Sequence, residues 1–166
     1  MTAYLFERYA AHHERADFDC GVEILNRYLR ERARQDDDRD AARLWIMVET
    51  PLSSKIAGYY TLCTTSVNLD GLPPDFQKRI PRYPSVPAFL IGRLARDLSF
   101  KGTGKLLLMD AIQRCVRQSN EIAGALIAVD AKDEGAVQFY TRFGFRPLSE
   151  RRLFLPMATA RSLIVS

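Results

Sequence analysis

Runs of apolar and β-branched residues predict a set of β-strands along the chain. LWIMVET (44–50) and KIAGYYTLCTT (55–65) flank the turn-like PLSS, which is typical of an antiparallel hairpin. AFLIGRLARD (88–97) predicts a further strand, and AGALIAV (123–129) is the short, continuous apolar run of a central strand buried on both faces. The remaining strand candidates are YLFERY (4–9) and RLFLPMA (152–158).

Apolar residues that recur at helical spacing predict three helices between these strands. The first runs through GVEILNRYLRERARQ (21–35), with Asp19 as its N-cap. The second covers about 104–118. The third occupies EGAVQFYTRF, with Asp133 as its N-cap and Gly144 at its end. Each of these helices is expected to bury one apolar face.

The order of these elements predicts an α/β (α+β) fold. The prolines between Asp70 and Pro87 exclude a long regular element there and leave only a short helix near 75–79. The resulting order of β, α, β, β, loop, β, α, β, α, β implies a mixed sheet with helices on both faces. With 166 residues the chain can build one substantial core, so we expect a single domain over 1–166.

Composition and charge narrow the class of protein. Hydrophobic residues make up 47% and charged residues 27%, which is ordinary for a globular chain. We expect a cytoplasmic protein, because no apolar run approaches the roughly 20 residues of a membrane span and the start lacks a signal peptide's hydrophobic region. The 3 cysteines are widely spaced and predict buried thiols, with no metal site. The net charge of +4 favours contact with polyanions without identifying one.

The segment FKGTGKLLLMDAI (100–112) places two glycines between a predicted strand and a predicted helix. Glycines let the backbone approach an anion closely, and the unpaired N–H groups of a helix N-terminus face it. Lys101 and Lys105 would add positive charge. The spacing differs from that of a P-loop or a dinucleotide fingerprint, which disfavours a nucleotide triphosphatase. Either a pyrophosphate site or a simple turn is compatible with this pattern.

Several motifs together resemble the GNAT acetyltransferases over most of the chain. GRLARD (92–97), the glycine loop and KLLLMDAI are similar to the family's acetyl-CoA strand, pyrophosphate loop and following helix, and VQFYTRFGFRPL is similar to its C-terminal helix and strand entry. FDCGVEILNRYLRERARQ (18–35) and IAGYYTL (56–62) resemble, more narrowly, the GNAT toxins of bacterial toxin–antitoxin systems. The resemblance implies the GNAT fold, with a mixed, mostly antiparallel sheet.

The resemblance also implies a reaction and partners. Toxins of this group transfer acetyl from acetyl-CoA to the α-amino group of aminoacyl-tRNA and block translation; a ribbon-helix-helix antitoxin neutralises them, and they are often homodimers. An aminoacyl amine with a pKa at or below about 8 is partly neutral at neutral pH, so no strong protein base is required. No such base stands out in the sequence, and we expect His12 and His13 to be solvated.

Acetyl-CoA would be bound through the backbone of the predicted strand and the glycine loop. The resemblance implies that backbone groups of Leu94 and Arg96 pair with the pantetheine arm and polarise the thioester carbonyl. The loop N–H groups would face the pyrophosphate. The acetyl-CoA-binding residues implied in this way are Leu94, Ala95, Arg96, Lys101, Gly102, Thr103, Gly104 and Lys105.

Tyr140 corresponds to the family's general acid, which protonates the departing CoA thiolate. A phenol with a reference pKa near 10 stays protonated at neutral pH and can donate to a thiolate whose thiol has a pKa of about 8.5. Without the resemblance, Tyr140 would be read as a core residue of an amphipathic helix. Arg93, Arg142 and Arg146 lie near the expected cleft and would contact tRNA phosphates or form structural ion pairs.

Two departures from the family pattern fall in the acetyl-CoA site. Family loops usually run QGxGxGxxLL, whereas KGTGKLLL is shorter and has Lys101 in place of Gln, and Arg96 stands where the family is usually apolar. Either Lys101 and Lys105 compensate for the lost amides, or the protein is a degenerate toxin that only binds its antitoxin. A GNAT enzyme acting on small amines or protein N-termini is the further alternative, and tRNA affinity that falls with salt would argue against it.

Overall fold

The computed structural model of the protein describes residues 3–165. Its strands are β1 (Leu5–Arg8), β2 (Arg43–Val48), β3 (Gly58–Asn68), β4 (Ser85–Arg96), β5 (Leu126–Asp130), β6 (Arg146–Pro147) and β7 (Arg152–Pro156). Its helices are α1 (Glu23–Glu31), α2 (Ala33–Asp38), α3 (Pro74–Gln77), α4 (Gly104–Gln118), α5 (Glu134–Thr141) and α6 (Met157–Val165). No helix within these residues is long and apolar enough to cross a membrane.

Within the described residues, seven strands form a sheet in the order β1-β2-β3-β4-β5-β7-β6. β4 and β5 pair in parallel, whereas the β1–β2, β2–β3, β5–β7 and β6–β7 pairs are antiparallel. The parallel pair has α4 as its crossover connection, since parallel neighbours cannot be joined by a tight turn. The predicted mixed, mostly antiparallel sheet is confirmed.

The chain divides into two compact units. The first comprises the chain up to Cys63 together with Arg93–Ala111, and the second comprises Thr64–Gly92 together with the chain from Ile112 onward. The single domain expected from the sequence stays a prediction.

The core of the first unit lies between α1 and strands β2 and β3. Leu25, Tyr28 and Leu29 of α1 are buried in one cluster with Leu44 and Tyr59 of the strands. Fully burying a large apolar side chain contributes roughly 1.5–3 kcal/mol, so this helical stripe fixes α1 on the sheet.

The predicted first helix is wrong in its bounds. α1 begins at Glu23, and Asp19 does not cap it, because the Asp19 carboxylate accepts hydrogen bonds from Gly21 N and Asn26 Nδ2 instead. The helix also does not continue through 35: Arg32, with φ −123°, separates α1 from α2.

The second unit has its own core, in which Phe76 of α3 packs against Phe154 of β7 with ring centroids 5.4 Å apart. Asp133 caps α5 as predicted, accepting from Ala136 N at 2.8 Å. The strand predicted over 152–158 is too long, because β7 ends at Pro156 and α6 follows. Met157 N, at the start of α6, donates to Ala125 O at 3.0 Å and continues the β5–β7 register by one residue. The short β6 lies in the segment FGFRPL, where the resemblance implied the entry to a strand, and α6 was not predicted.

Candidate active site

The C-terminal half of β4 extends beyond its pairing with β5. The ladder between the two strands ends where Ile91 lies opposite Val129, and β4 continues to Arg96. A strand edge without a neighbouring strand offers its N–H and C=O groups to an extended ligand.

The alternation of the backbone assigns Leu94 and Arg96 to that open edge. Asp97 N, directly after β4, donates to Ala57 O at 2.8 Å, on the β3 side of the strand. Successive residues of a strand direct their backbone groups to opposite edges. The N–H and C=O groups of Leu94 and Arg96 therefore point away from β3, as an acetyl-CoA strand requires.

The side chains of the same segment lie on two faces. Ala95 is buried in the α1-facing core, so its neighbours Leu94 and Arg96 project to the opposite face, where both are half-buried. Arg96 Nη1 lies 3.4 Å from Asp97 O, directed along the chain toward the following loop.

The loop between β4 and α4 is fixed by its own hydrogen bonds. Phe100 N donates to Asp97 O at 3.0 Å, Thr103 Oγ1 donates to Phe100 O at 2.7 Å, and Leu107 N donates to Thr103 O at 3.1 Å. Gly102 has φ +82°, and among the described residues no heavy atom other than those of Gly102 and its two chain neighbours lies within 4 Å of where a Cβ would stand. Because glycine adopts this φ without strain, the loop exposes bare backbone at Gly102.

The first turn of α4 presents backbone donors. α4 begins at Gly104, yet Leu107 N is the first of its amides that donates to a carbonyl, and the Thr103 hydroxyl donates elsewhere rather than capping the helix. Lys101 and Lys105 are exposed beside these amides. The amides, the helix dipole and the two ammonium groups together suit an anion such as a pyrophosphate.

Tyr140 combines a buried ring with an accessible hydroxyl. The residue is 4% exposed, and its ring packs against Phe139 and Phe145 with centroids 5.4 and 5.5 Å away. Across residues 3–165 no buried side-chain oxygen lacks a hydrogen-bond partner. The Tyr140 hydroxyl has no hydrogen-bond partner within residues 3–165. Its oxygen is therefore not fully buried and is at least partly exposed to solvent. Burial, reinforced by Asp130, raises the pKa of Tyr140 above its usual value, so the phenol is protonated at neutral pH.

The three arginines predicted to contact substrate lie in different settings. Arg93 stacks on Tyr28, with Cζ 3.6 Å from the ring centroid. Arg146 forms a two-pronged ion pair with Asp75 at 3.0 and 2.9 Å. Arg142 is exposed and pairs with no carboxylate in the described part of the chain. Of the three, Arg142 has the guanidinium most available to a phosphate.

The two histidines differ, and the expectation that both are solvated is wrong for His13. His12 is exposed, but His13 is 4% exposed, and its Nδ1 accepts from Ala10 N at 2.9 Å. His13 Nε2 therefore carries the ring proton and donates to Glu7 Oε1 at 2.7 Å. Glu7, His12 and His13 place three potential ligand atoms within 4.8 Å of one another. A neutral His13 that bound a metal through Nε2 would carry its proton on Nδ1, which instead accepts from Ala10 N.

Comparison with known proteins identifies the family. No protein-family model matches the chain. A probable toxin TacT of Sinorhizobium fredii is 31% identical over 163 residues, which span 92% of this chain and 90% of that protein. A tRNA-acetylating toxin of Mycobacterium tuberculosis is 34% identical over 151 residues, spanning 89% and 88%. The chain belongs to the tRNA-acetylating GNAT toxins.

Solved structures of GNAT toxins match the fold of this protein over nearly its full length. A tyrosine-to-phenylalanine mutant of KacT matches with a TM-score of 0.90 and 30% identity, over 96% of this chain and 98% of that one. AtaT complexed with acetyl-methionyl-tRNAfMet matches at 0.88 and 32%, over 98% and 99%. A tyrosine-to-phenylalanine mutant of AtaT, bound to the C-terminus of the antitoxin AtaR and acetyl-CoA, matches at 0.83 and 25%, over 98% and 99%.

Sequence reasoning missed Asp97 of this GNAT toxin. The side chain is 6% exposed, with Oδ2 accepting from Asp19 N and Oδ1 accepting from Ser99 N and Oγ. Burial alone would raise the pKa of Asp97, but these hydrogen bonds, with Lys55, outweigh it and the pKa lies below its usual value. The signal was an Asp directly after an apolar strand with Ser two residues on, a pattern that closes an Asx turn.

Proposed function

We propose that this protein is an N-acetyltransferase toxin that transfers acetyl from acetyl-CoA to the α-amino group of aminoacyl-tRNA and thereby blocks translation. Membership of a family whose Mycobacterium tuberculosis member is a tRNA-acetylating toxin carries the proposal. AtaT, similar over nearly the whole chain, is solved with an acetylated aminoacyl-tRNA.

Acetyl-CoA would bind to backbone groups rather than to a dedicated side-chain pocket. The open edge of β4 at Leu94 and Arg96, on either side of Ala95, suits the amide groups of a pantetheine arm. The preformed loop supports the active enzyme over the degenerate toxin, because the amides of Gly104, Lys105 and Leu106 in the first turn of α4 have no acceptor among residues 3–165. The groups assigned to the pyrophosphate belong to Lys101, Gly102, Thr103, Gly104 and Lys105.

Acetyl transfer from the thioester to the amine needs one proton donor and does not need a bound metal ion. The neutral α-amino group attacks the thioester carbonyl, a C–N bond forms, and the C–S bond breaks with the electron pair leaving on sulfur. Tyr140 donates its phenolic proton to that sulfur as the bond breaks, and the proton lost by the amine returns to the phenolate through solvent. The pKa of Tyr140, raised by burial, keeps the donor protonated between turnovers.

The acceptor would be held partly by charge. The net charge of +4 favours tRNA, and Arg142 is assigned first as a phosphate contact because it has no ion-pair partner among the described residues. Arg93 and Arg146 are assigned second, because Tyr28 and Asp75 already engage them.

The remaining partners follow from the family. AtaT is solved with the C-terminus of its antitoxin AtaR. For this chain we assign an antitoxin of the ribbon-helix-helix type and a homodimer as the toxin's own assembly. A cytoplasmic location agrees with a substrate that is charged tRNA.

The test is transfer of radiolabelled acetyl from acetyl-CoA to a set of charged tRNAs. Label should appear on charged tRNA and be absent from uncharged tRNA and from charged tRNA whose α-amino group is already formylated. Label on small amines or peptide N-termini alone would favour the ordinary GNAT reading. No transfer to any acceptor, together with tight binding of the antitoxin, would favour the degenerate toxin.

A further inference from the structure

We infer that Asp97 is a positioning residue for the pyrophosphate loop: its carboxylate holds the loop in the conformation that binds acetyl-CoA before the donor arrives. The inference rests on the proposed function, since it assigns the loop between β4 and α4 to acetyl-CoA. Within the described residues the Asp97 carboxylate hydrogen-bonds only to Asp19 and Ser99, neither of which is assigned to the donor.

Both oxygens of the Asp97 carboxylate are engaged. Oδ1 accepts from Ser99 N at 2.9 Å and from Ser99 Oγ at 2.6 Å, and Oδ2 accepts from Asp19 N at 3.0 Å. Hydrogen bonds to an ionised, buried acceptor are stronger than neutral ones, and losing one leaves a buried polar group unsatisfied. The turn that starts the loop is therefore set by one side chain.

The hydrogen bonds continue from Asp97 to the donors of α4. Phe100 N donates to Asp97 O, and the Phe100 carbonyl accepts from Thr103 Oγ1, directly before the helix. Lys55 Nζ lies 5.7 Å from the centroid of the Phe100 ring, and Tyr4 meets the same ring edge-on at 6.2 Å. A shift at Asp97 would thus move the first-turn amides.

On its other side Asp97 ties the loop to the segment that leads into α1. Leu98 N donates to Asp19 O at 2.9 Å, so that Asp19 both donates to Asp97 and accepts from Leu98. Asp19 Oδ1 in turn accepts from Gly21 N at 2.8 Å and from Asn26 Nδ2 at 3.0 Å. The loop is therefore tied through Asp19 to Asn26, a buried residue of α1, and this anchoring lowers the entropy lost when the loop binds a ligand.

The deciding experiment compares two acetyl donors with the Asp97→Asn variant. By calorimetry, acetyl-CoA affinity should fall by about 10- to 100-fold, because Asn keeps the volume but turns an amide N–H toward one of the donors that Asp97 satisfies. Turnover at saturating acetyl-CoA should stay within about 3-fold of the unaltered protein. With S-acetylpantetheine, which lacks the pyrophosphate, kcat/KM should be unchanged.

Asp17→Asn is the matched control. Asp17 and Asp97 both line a cavity of about 260 Å³ together with Glu14 and Lys55, so the two variants remove the same charge from one place. Asp17 is exposed and makes none of the loop's hydrogen bonds, and its variant should bind acetyl-CoA normally. Ser99→Ala removes only the Oγ contact and should weaken acetyl-CoA binding less than Asp97→Asn does. It tests the same role if Asp97→Asn folds poorly.

The outcomes separate this inference from the proposed function. Equal losses with both donors in Asp97→Asn, or an equal loss in Asp17→Asn, would overturn the positioning role. Acetyl-CoA binding with the expected pattern, but no acetylation of charged tRNA, would overturn the proposed acceptor and leave the role of Asp97 standing. Failure of the unaltered protein to bind acetyl-CoA would overturn both.

Discussion

The guanidinium of Arg93 stacks on the ring of Tyr28 with Cζ 3.6 Å from the centroid. The Tyr28 hydroxyl donates to Asp36 Oδ2 at 2.7 Å. Arg93 comes from β4, Tyr28 from α1 and Asp36 from α2. A cation over an aromatic face is attracted by the ring's quadrupole, so these three side chains join three elements of the first unit. Arg93 is therefore expected to act mainly as a structural residue, with Arg142 as the first candidate for a tRNA phosphate contact.

Replacing Arg93 with Met should lower the free energy of unfolding by about 1 kcal/mol, because the variant keeps most of the aliphatic volume but loses the cation. The salt dependence of tRNA binding should be almost unchanged. Denaturant unfolding and filter binding at several salt concentrations measure the two quantities.

Arg142→Gln is the comparison, since Arg142 has no ion-pair partner in the described part of the chain. It should leave stability unchanged and reduce the slope of log affinity against log salt by about 1. A reduced slope in Arg93→Met with normal stability would make Arg93 the phosphate contact instead.

Replacing Tyr140 with Phe should lower kcat by about 100-fold or more, because the sulfur then leaves without a proton donor. Acetyl-CoA affinity should change by less than about 2-fold, since the ring and its packing remain. Single-turnover acetylation and calorimetry separate the two effects. Tyr83→Phe, at an exposed tyrosine, should be silent, and normal turnover in Tyr140→Phe would remove Tyr140 from the mechanism.

Replacing Gly104 with Asp places a carboxylate in the first turn of α4, where the pyrophosphate is proposed to bind. An acidic residue there interacts favourably with the helix dipole, so the melting temperature should not fall. Acetyl-CoA binding should weaken by about 100-fold or more through charge repulsion and lost access to the amides.

Gly104→Ala is the control for the loss of glycine alone and should bind far better than Gly104→Asp. Equal acetyl-CoA affinity in the Asp variant and the unaltered protein would show that the loop is only a turn.

The regular part of the fold could be predicted because local signals and tertiary packing agree. The apolar stripe of 104–118 gave the bounds of α4, and Asp133 capped α5 as its position indicated. The first helix failed because tertiary contacts overrode the local signal: the Asp19 backbone and side chain bind Asp97, Gly21 and Asn26 rather than capping α1.

The candidate site was only partly accessible from the sequence. Motifs pointed to the loop and to Tyr140, but which edge of β4 is open depends on where the β5 ladder stops. Asp97 was missed for a related reason. Its importance lies in a bond to Asp19, far away in sequence, and no local spacing encodes that contact.

The buried tyrosines predict a loss of stability at alkaline pH. Burial raises the pKa of Tyr28, Tyr59 and Tyr140 above the usual value, with the hydrogen bond to Asp36 adding to the effect at Tyr28. Burial likewise raises the pKa of Cys115 to about 12. For each of these groups the pKa is higher in the folded protein than in the unfolded chain. Its full contribution to stability is present below the unfolded-chain pKa, and that contribution is lost as pH rises from there through the folded-state pKa.

The free energy of unfolding should therefore begin to fall above about pH 9, because the Cys115 thiol ionises there in the unfolded chain. Above about pH 10, where unfolded tyrosines ionise, it should fall more steeply, by roughly 1.4 kcal/mol per pH unit for each buried tyrosine. Denaturant titrations from pH 8 to 11 measure this slope. Tyr140→Phe removes one titrating group and should reduce the slope above pH 10 by the share of one tyrosine, whereas Tyr83→Phe, at an exposed ring, should not. Stability that stays flat to pH 11 would mean that these phenols ionise as easily in the folded protein as in the unfolded chain, and would contradict the raised pKa of Tyr28, Tyr59 and Tyr140. Proton donation by Tyr140 at neutral pH would survive that result, because an unshifted phenol is also protonated there.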